Sequence, residues 1–308
     1  MKHRIAAAAA AVLMLASAAG CSINNNEGNS SSAADASQTQ SAADNNTSAS
    51  DASADSKQEK SESTKSDNKA SAKLNGSSVE LSEGAVGISA EGSVLTISAA
   101  GEYTLTGTLD DGQIVVNVPK TDKVDIFLEN VTVSSSATAP IRIEQADGVT
   151  LHLVEGSVNT FTDSAANDLS ACISAKDDLT IKGKGTLKVT GSAKHAIKSS
   201  NDIKIKNGVF ELSAVKTAIY GEDSVQLTGG SIVITSCGDG IKASNTEEAE
   251  KGFVSSEEAE VEIQNAAGNG IEAVTGVTVK SGKIRIHSLK QAVNCKVQEL
   301  AEGCVEKF

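Results

Sequence analysis

A repeat of about 22 to 30 residues runs through most of the chain and limits the folds that it can adopt. Each repeat begins with two aliphatic residues that alternate with polar ones, the pattern of a strand that buries one side. These first pairs are Val124/Ile126, Val149/Leu151, Leu179/Ile181, Ile203/Ile205, Val225/Leu227 and Val277/Val279. Such units stack on one another, because no single unit can bury its apolar side alone.

Two further strand-like pieces follow in each repeat. After a turn that contains Gly or Asn, a second aliphatic pair occurs at Leu187/Val189, Phe210/Leu212, Ile232/Ile234 and Ile284/Ile286. A single aliphatic residue then marks a third piece at Ile197, Ile219, Ile241, Ile271 and Val293. The residues that stand six positions before the next first strand are Ile143, Ile173, Ile197, Ile219 and Ile271.

Three strands per repeat, with their aliphatic positions in register, predict an all-β fold that is a single right-handed parallel β-helix of about 8 to 10 coils. A propeller would need a period of about 40 residues and aromatic landmarks that this chain lacks. The polar residues 245–251 are interpreted as a loop inserted at one corner, and residues 74–118 as the first coils and N-terminal cap.

The N-terminal residues have the pattern of an export signal. Lys2 and Arg4 precede an apolar run over residues 5–16, and small residues stand directly before Cys21. Residues 1–20 are therefore predicted to be a lipoprotein signal peptide, with Cys21 as the lipidated N-terminus of the mature protein. The alternative is an ordinary cleaved signal with a cysteine at this position by chance.

Residues 21–73 are rich in Ser, Ala and Asp and have almost no branched aliphatic residues, so they are predicted to be a disordered tether. The β-helix domain would cover residues 74–308 as a monomer at the extracellular face of the cell membrane, which it contacts through the N-terminal lipid only. Export permits disulfides, and Cys295 and Cys304 are close enough in sequence to form one. Cys172 and Cys237 could equally be buried residues of the repeats and not disulfide partners.

The balance of charge is acidic, with 40 Asp and Glu against 27 Lys and Arg and a formal net charge of −13. Nucleic acid is therefore not expected as a partner.

Acidic residues and Asn precede the first strand of successive repeats. They are Asp122, Asp147, Asp177, Asp178, Asn201, Asp202 and Asp223. Stacked carboxylates would lie about 5 Å apart on adjacent coils, and oxygen ligands of this kind suit Ca²⁺. The alternative is that Asp and Asn occur here as turn residues that bond the local backbone.

A second set of polar residues flanks the third strand. Lys198, Tyr220 and Lys242 occupy equivalent positions, so they are predicted to face outward on neighbouring coils as a basic strip that contains one aromatic ring. Such a strip could bind an anionic polymer, although lysines on exposed strands also simply maintain solubility. His195, without a Cys or His at metal-ligand spacing, is interpreted as structural.

The repeat phrases KDDLTI at residues 176–181 and GDGIK at residues 238–242 resemble those of the clostridial cell-surface carbohydrate-binding proteins with a pectate-lyase-like β-helix. The resemblance covers roughly residues 74–288. It implies a lipid-anchored or wall-associated protein that binds polysaccharides such as polygalacturonate or cellulose, with Ca²⁺ along the helix. The metal ligands that it implies are Asp177, Asp178, Asp202, Asp223 and Asp239. Ser256, where an inward aliphatic residue is expected, and the glutamates that follow it depart from the pattern.

The resemblance and the strip together favour a non-catalytic module that binds an acidic plant glycan through Lys198, Tyr220 and Lys242. Two alternatives stay open. A calcium-dependent polysaccharide lyase would use Lys198 or Lys242 as the base that removes the α-proton. An adhesin or wall spacer would bind no glycan, and its ladders would only stabilise the coils.

Overall fold

The computed structural model describes residues 68–308, which form strands and no helix. No helix in this part of the chain could cross a membrane. The strands wind into a parallel β-helix of about nine turns, which confirms the predicted fold. The predicted signal peptide, Cys21 and the predicted tether as far as residue 67 lie outside the described residues. The first strand begins at Lys69, so regular structure starts before the predicted boundary at Leu74.

The N-terminal end is less regular than the rest. Its strands are β1 (Lys69–Gly76), β2 (Ser78–Leu81), β3 (Ile88–Glu91), β5 (Gly101–Leu109) and β7 (Lys123–Ser135). β2 runs antiparallel to β1, and β3 runs antiparallel to the strand that follows it, whereas the other strand pairs are parallel. β1, β5 and β7 are long and pair side by side, and β7 continues into two separate faces of the later turns.

Each later turn contributes one strand to each of three faces. The first face contains β9 (Gly148–Leu153), β12 (Asp178–Gly183), β15 (Asp202–Ile205), β18 (Ser224–Leu227), β21 (Phe253–Ser256), β24 (Gly276–Val279) and β27 (Val297–Leu300). The second face contains β10 (Val158–Asp163), β13 (Thr186–Gly191), β16 (Val209–Ala214), β19 (Ser231–Ser236), β22 (Glu260–Ala266), β25 (Lys283–Ser288) and β28 (Val305–Lys307). The third face contains β4 (Val94–Ile97), β6 (Gln113–Asn117), β8 (Ile141–Gln145), β11 (Ala171–Ala175), β14 (His195–Ser199), β17 (Thr217–Gly221), β20 (Asp239–Ala243), β23 (Ile271–Ala273) and β26 (Val293–Asn294).

The core consists of columns of aliphatic side chains, one residue from each turn. On the first face, Leu179 pairs with Ile203, and Ile203 pairs with Val225. The predicted second pairs stack in the same way, and Phe210 lies between Leu187 and Ile232. All of these residues are buried. The alternation in sequence therefore predicted both the buried side of each strand and its register.

One predicted register position is wrong. Ile173 pairs with Ile141 and not with Ile143, which lies opposite Ala175. Both isoleucines face inward and are buried, so hydrophobicity alone did not distinguish them. The register between β6 and β8 shifts next to Ile143, at Val116/Asn117, and this irregularity is what a fixed spacing of six residues cannot anticipate.

The later turns contain the insertion and the polar interruption that the sequence indicated. Residues 244–252 connect β20 to β21 outside any strand, as predicted for the corner loop. Ser256 stacks between Leu227 and Val279, is 2% exposed, and has a hydroxyl without a hydrogen-bond partner.

The cysteines were predicted only in part. Cys172 and Cys237 are buried in the core, as expected for repeat residues. Cys295 and Cys304, whose pairing the sequence left open, are both free thiols within the described residues. The Sγ of Cys295 instead donates to the carbonyl of Val297 at 3.0 Å.

Candidate functional site: a basic cleft on the third face

The outward residues of the third face form a column in which charge changes from turn to turn. Lys198 pairs with Tyr220, Tyr220 with Lys242, and Lys242 with Glu272. The next residue before Lys198 in this column is Ser174. The structure therefore places Lys198, Tyr220 and Lys242 on neighbouring turns, as the sequence predicted.

Two more lysines stand beside this column. Lys194 and Lys216 occupy the turns that lead into β14 and β17, and the amide of Lys216 donates to the carbonyl of Lys194 at 2.6 Å. Together with Lys198, Lys242, Tyr220 and His195, they line a cleft of about 410 Å³, which we call the basic cleft. Ser170, Thr217 and Ser244 complete its lining. Lys194 and Lys216 were missed, although each stands directly before the residue that opens its third strand.

The lysines of the basic cleft differ from many others in their surroundings. On the second face, Lys188 pairs with Glu211 at 2.7 Å, and on the first face Lys204 pairs with Asp202 at 3.3 Å. Within residues 68–308, no carboxylate forms an ion pair with Lys194, Lys198 or Lys216. Three uncompensated positive charges around one depression create a local positive potential in an acidic protein.

Tyr220 is held firmly between these lysines. Its ring stacks on the imidazole of His195 with ring centroids 4.9 Å apart and an interplanar angle of 22°. Its hydroxyl lies 2.6 Å from the Oγ of Ser244 on the next turn. The Nζ of Lys198 lies 5.5 Å from the ring centroid, a cation–π distance. The ring is therefore pre-positioned as a contact surface.

His195 lines the basic cleft, stacks on Tyr220 and is only 6% exposed. Burial lowers its pKa to about 4, and the charges of Lys216, Lys198 and Lys194 act in the same direction. The imidazole is therefore neutral at physiological pH. Among residues 68–308, its Nδ1 has no hydrogen-bond partner, and neither does the buried Oγ1 of Thr217 one turn further on. Unsatisfied buried polar atoms are uncommon in folded proteins.

Ser170 at the edge of the cleft has an unusual backbone conformation, with φ of 64°. A non-glycine residue rarely adopts this left-handed region. Here the conformation directs the carbonyl of Ser170 to the amide of His195, which donates to it at 3.0 Å. The strained residue therefore holds the start of β14, which carries His195 and Lys198.

The aspartates predicted as metal ligands are used differently. The Oδ2 of Asp177 accepts a hydrogen bond from the amide of Ala146 at 3.0 Å, and the Oδ1 of Asp202 accepts from the Oγ of Ser224 at 2.7 Å. Asp178 accepts from the amide of Asp202 at 3.3 Å. Burial is the main reason that the pKa of Asp178 is raised. These side chains connect adjacent turns at one corner.

The remaining two aspartates also have partners. The carboxylate of Asp223 accepts from the Nδ2 of Asn245 at 2.7 Å and pairs with the Nζ of Lys251 at 2.9 Å. Asp239 lies on β20 of the third face, away from the corner, and accepts from the amide of Asn269 at 2.8 Å. No three His, Cys, Asp or Glu side chains among residues 68–308 are grouped closely enough to hold a metal ion. The five aspartates therefore do not fit one calcium site as they lie here, and calcium binding stays a prediction.

Comparisons with known proteins agree with this architecture. The sequence model of a family described as carbohydrate-binding domain-containing protein matches residues 91–304. The chain belongs to this family. A member from Acetivibrio thermocellus with the same description is 34% identical over an alignment of 231 residues, which covers 72% of this chain and 80% of that protein. The family predicted from the repeat phrases is thus confirmed.

A solved structure gives the same result for the fold. It is described as the polysaccharide lyase-like protein from C. thermocellum, in a gadolinium derivative. The present chain superimposes on that structure with a TM-score of 0.74 at 32% sequence identity. The match covers 78% of the present chain and 100% of the other.

Proposed function

We propose that this family member binds an acidic polysaccharide such as polygalacturonate in the basic cleft, with Lys194, Lys198 and Lys216 as the main contacts to its carboxylates. The observation that carries the proposal is the group of three lysines around a fixed aromatic ring, which have no carboxylate partner in the described part of the chain. Family membership supports a carbohydrate as the ligand.

The chemistry of the basic cleft favours an acidic glycan over a neutral one. Binding sites for neutral sugars often rely on broad aromatic surfaces, but the chain has no Trp and two Tyr. Charge-assisted hydrogen bonds from ammonium groups to carboxylates are roughly twice as strong as neutral ones. The ring of Tyr220 would contact the apolar face of one sugar while the lysines bind carboxylates on either side.

Calcium is a separate part of the proposal. If the corner aspartates bind Ca²⁺, the ion must either use the lone pairs left beside the hydrogen bonds that Asp177, Asp202 and Asp223 now accept or replace those bonds. The lysines of the basic cleft need no ion to attract a carboxylate. We therefore propose that glycan binding at the cleft proceeds without calcium, and that any calcium acts on the stability of the corner.

The proposed location is the outer face of the cell membrane, with a lipid on Cys21. Support comes from Lys2, Arg4 and the apolar run over residues 5–16, followed by small residues before Cys21. The expected result is that the wild-type chain fractionates with membranes, whereas the Cys21→Ala variant does not. Membrane association that survives this substitution would refute the lipid anchor.

The experiment for the binding proposal is calorimetric titration of the protein with polygalacturonate and, in parallel, with dextran as a neutral polymer. We expect binding to polygalacturonate only, with an affinity that falls as salt screens the lysines. Equal binding to both polymers, or to neither, would contradict the proposal. Formation of unsaturated products during the titration would instead favour a lyase.

A further inference from the structure

We infer that Glu272 ends the glycan site and determines how many acidic sugars it accepts. This inference rests on the proposed function of the basic cleft. Glu272 occupies the same outward column as Lys198, Tyr220 and Lys242, one turn beyond the last lysine. The column therefore changes from positive to negative within a single turn, and a carboxylate that extends past Lys242 would meet another carboxylate.

Contacts on both sides hold the carboxylate of Glu272 in place. Its Oε1 accepts from the Nζ of Lys242 at 2.5 Å, and its Oε2 accepts from the Nδ2 of Asn269 at 2.6 Å. Asn269 is itself 7% exposed, and its backbone amide donates to the Oδ1 of Asp239. Burial opposes the charge of Glu272, but the hydrogen bonds from Lys242 and Asn269 and the nearby lysines lower its pKa overall. The group is thus an ionised side chain in a fixed position.

Glu272 also changes what Lys242 can do. Lys242 lines the basic cleft but is the one of its four lysines that pairs with a carboxylate within the described part of the chain. Both partners of this pair are 26% exposed, so the pair is only partly screened by water. A bound glycan must therefore compete with Glu272 for Lys242, and the contribution of this lysine to binding is reduced.

The opposite end of the column is closed as well. The column position before Lys198 is Ser174, which has no charge. The position before Ser174 is Arg142, which is paired with Glu144. The free positive charge is thus confined to the turns of Lys198 and Tyr220 and their neighbours. Turns are about 4.8 Å apart, and a pyranose unit in an extended chain advances by a similar length. A glycan that lies along the helix axis would place about three sugars in the site.

The test is the Glu272→Gln variant, titrated with oligogalacturonates of increasing length. Glutamine keeps an oxygen that accepts from Asn269 but removes the charge, so the fold is preserved while Lys242 is released. In the wild type we expect affinity to rise with length and then level off. In the variant we expect about threefold to tenfold tighter binding and levelling at one sugar more.

A matched control is Glu211→Gln, which removes the same kind of Lys–Glu pair between neighbouring turns of the second face. This control should leave affinity and length dependence unchanged. A further variant, Glu272→Lys, should bind more tightly than Glu272→Gln. If the wild type binds and Glu272→Gln, with an unchanged melting temperature, behaves like it, the inference about Glu272 is wrong. If the wild type binds no acidic oligosaccharide, the proposed function itself fails, and the inference fails with it.

Discussion

Two polar ladders run along this β-helix, and they differ in whether their charges are already compensated. At the corner before the first face, Asp177, Asp202 and Asp223 accept hydrogen bonds from neighbouring turns. On the third face, Lys194, Lys198 and Lys216 have no carboxylate partner among the described residues. Both ladders follow from the same stacking of equivalent positions. The difference teaches that a regular polar column in a solenoid indicates a binding site only when its members lack partners within the fold.

The largest expected effect comes from removing two lysines of the uncompensated ladder. The double variant Lys198→Ala/Lys216→Ala should lose at least about a hundredfold in affinity for polygalacturonate, because each charged hydrogen bond contributes about 1.5 to 3 kcal/mol. Its melting temperature should fall little, since neither side chain is in an ion pair among residues 68–308 and Lys198 loses only its cation–π contact with Tyr220. Calorimetry and thermal unfolding measure the two quantities.

The control for this pair is Lys188→Ala/Lys204→Ala, in which both lysines are paired with carboxylates on other faces. It should retain glycan affinity. An equal loss of affinity in both double variants would show that overall charge, and not the basic cleft, determines binding.

The second effect concerns the pH dependence of stability. The pKa of His195 is about 4 in the folded protein and about 6.5 in the unfolded chain. As pH falls through this interval, the unfolded chain gains a proton on the imidazole that the folded protein does not bind. The free energy of unfolding should therefore decrease by roughly 3 kcal/mol on this account alone.

Carboxylates titrate in the same range, so the measurement compares denaturant unfolding of the wild type and His195→Gln at neutral and at mildly acidic pH. We expect the variant to lose less stability on acidification than the wild type. Identical pH profiles would mean that folding does not lower the pKa of His195.

A smaller effect is expected in the compensated ladder. Asp177→Ala removes the acceptor for the amide of Ala146, a residue that is 2% exposed. We expect the free energy of unfolding to fall by about 1 to 2 kcal/mol while glycan affinity is unchanged. Asp177→Asn retains an acceptor oxygen and should recover most of the loss. Reduced glycan affinity in Asp177→Ala would place this corner within the binding site.

The smallest effect is expected from calcium. Because the corner aspartates already have hydrogen-bond partners, chelation with EGTA should change neither the melting temperature nor the affinity for short oligogalacturonates. If calcium raised the melting temperature and Asp177→Asn abolished the increase, the corner would be a metal site after all.

The sequence predicted those parts of the fold and site that depend on alternation. Ile203 and Ile205, like the other paired aliphatic residues, lie in the core with the expected register, and Lys198, Tyr220 and Lys242 stand on adjacent turns. Alternation is a local property, and stacking converts it directly into columns.

What the sequence did not predict depends on turns and on partners. Lys194 and Lys216 precede the third strands, where no alternation shows on which side a side chain lies. Glu272 follows Lys242 in the same column of the sequence repeat, but the repeat does not show that the two side chains form an ion pair. The sequence could not show that Asp177 accepts a hydrogen bond from a backbone amide, because Asp and Asn are common both as turn residues and as metal ligands.

The most direct test of the central claim is to measure where an acidic glycan protects lysines. The protein would be acetylated with and without a saturating oligogalacturonate, and the reaction rate of each lysine would be followed by mass spectrometry. Binding in the basic cleft predicts slower acetylation of Lys194, Lys198 and Lys216, with unchanged rates at Lys182 on the first face and at Lys206, which directly follows β15 of that face. Slower acetylation of those two lysines, or no change in the rate of any lysine when the glycan is added, would contradict the account.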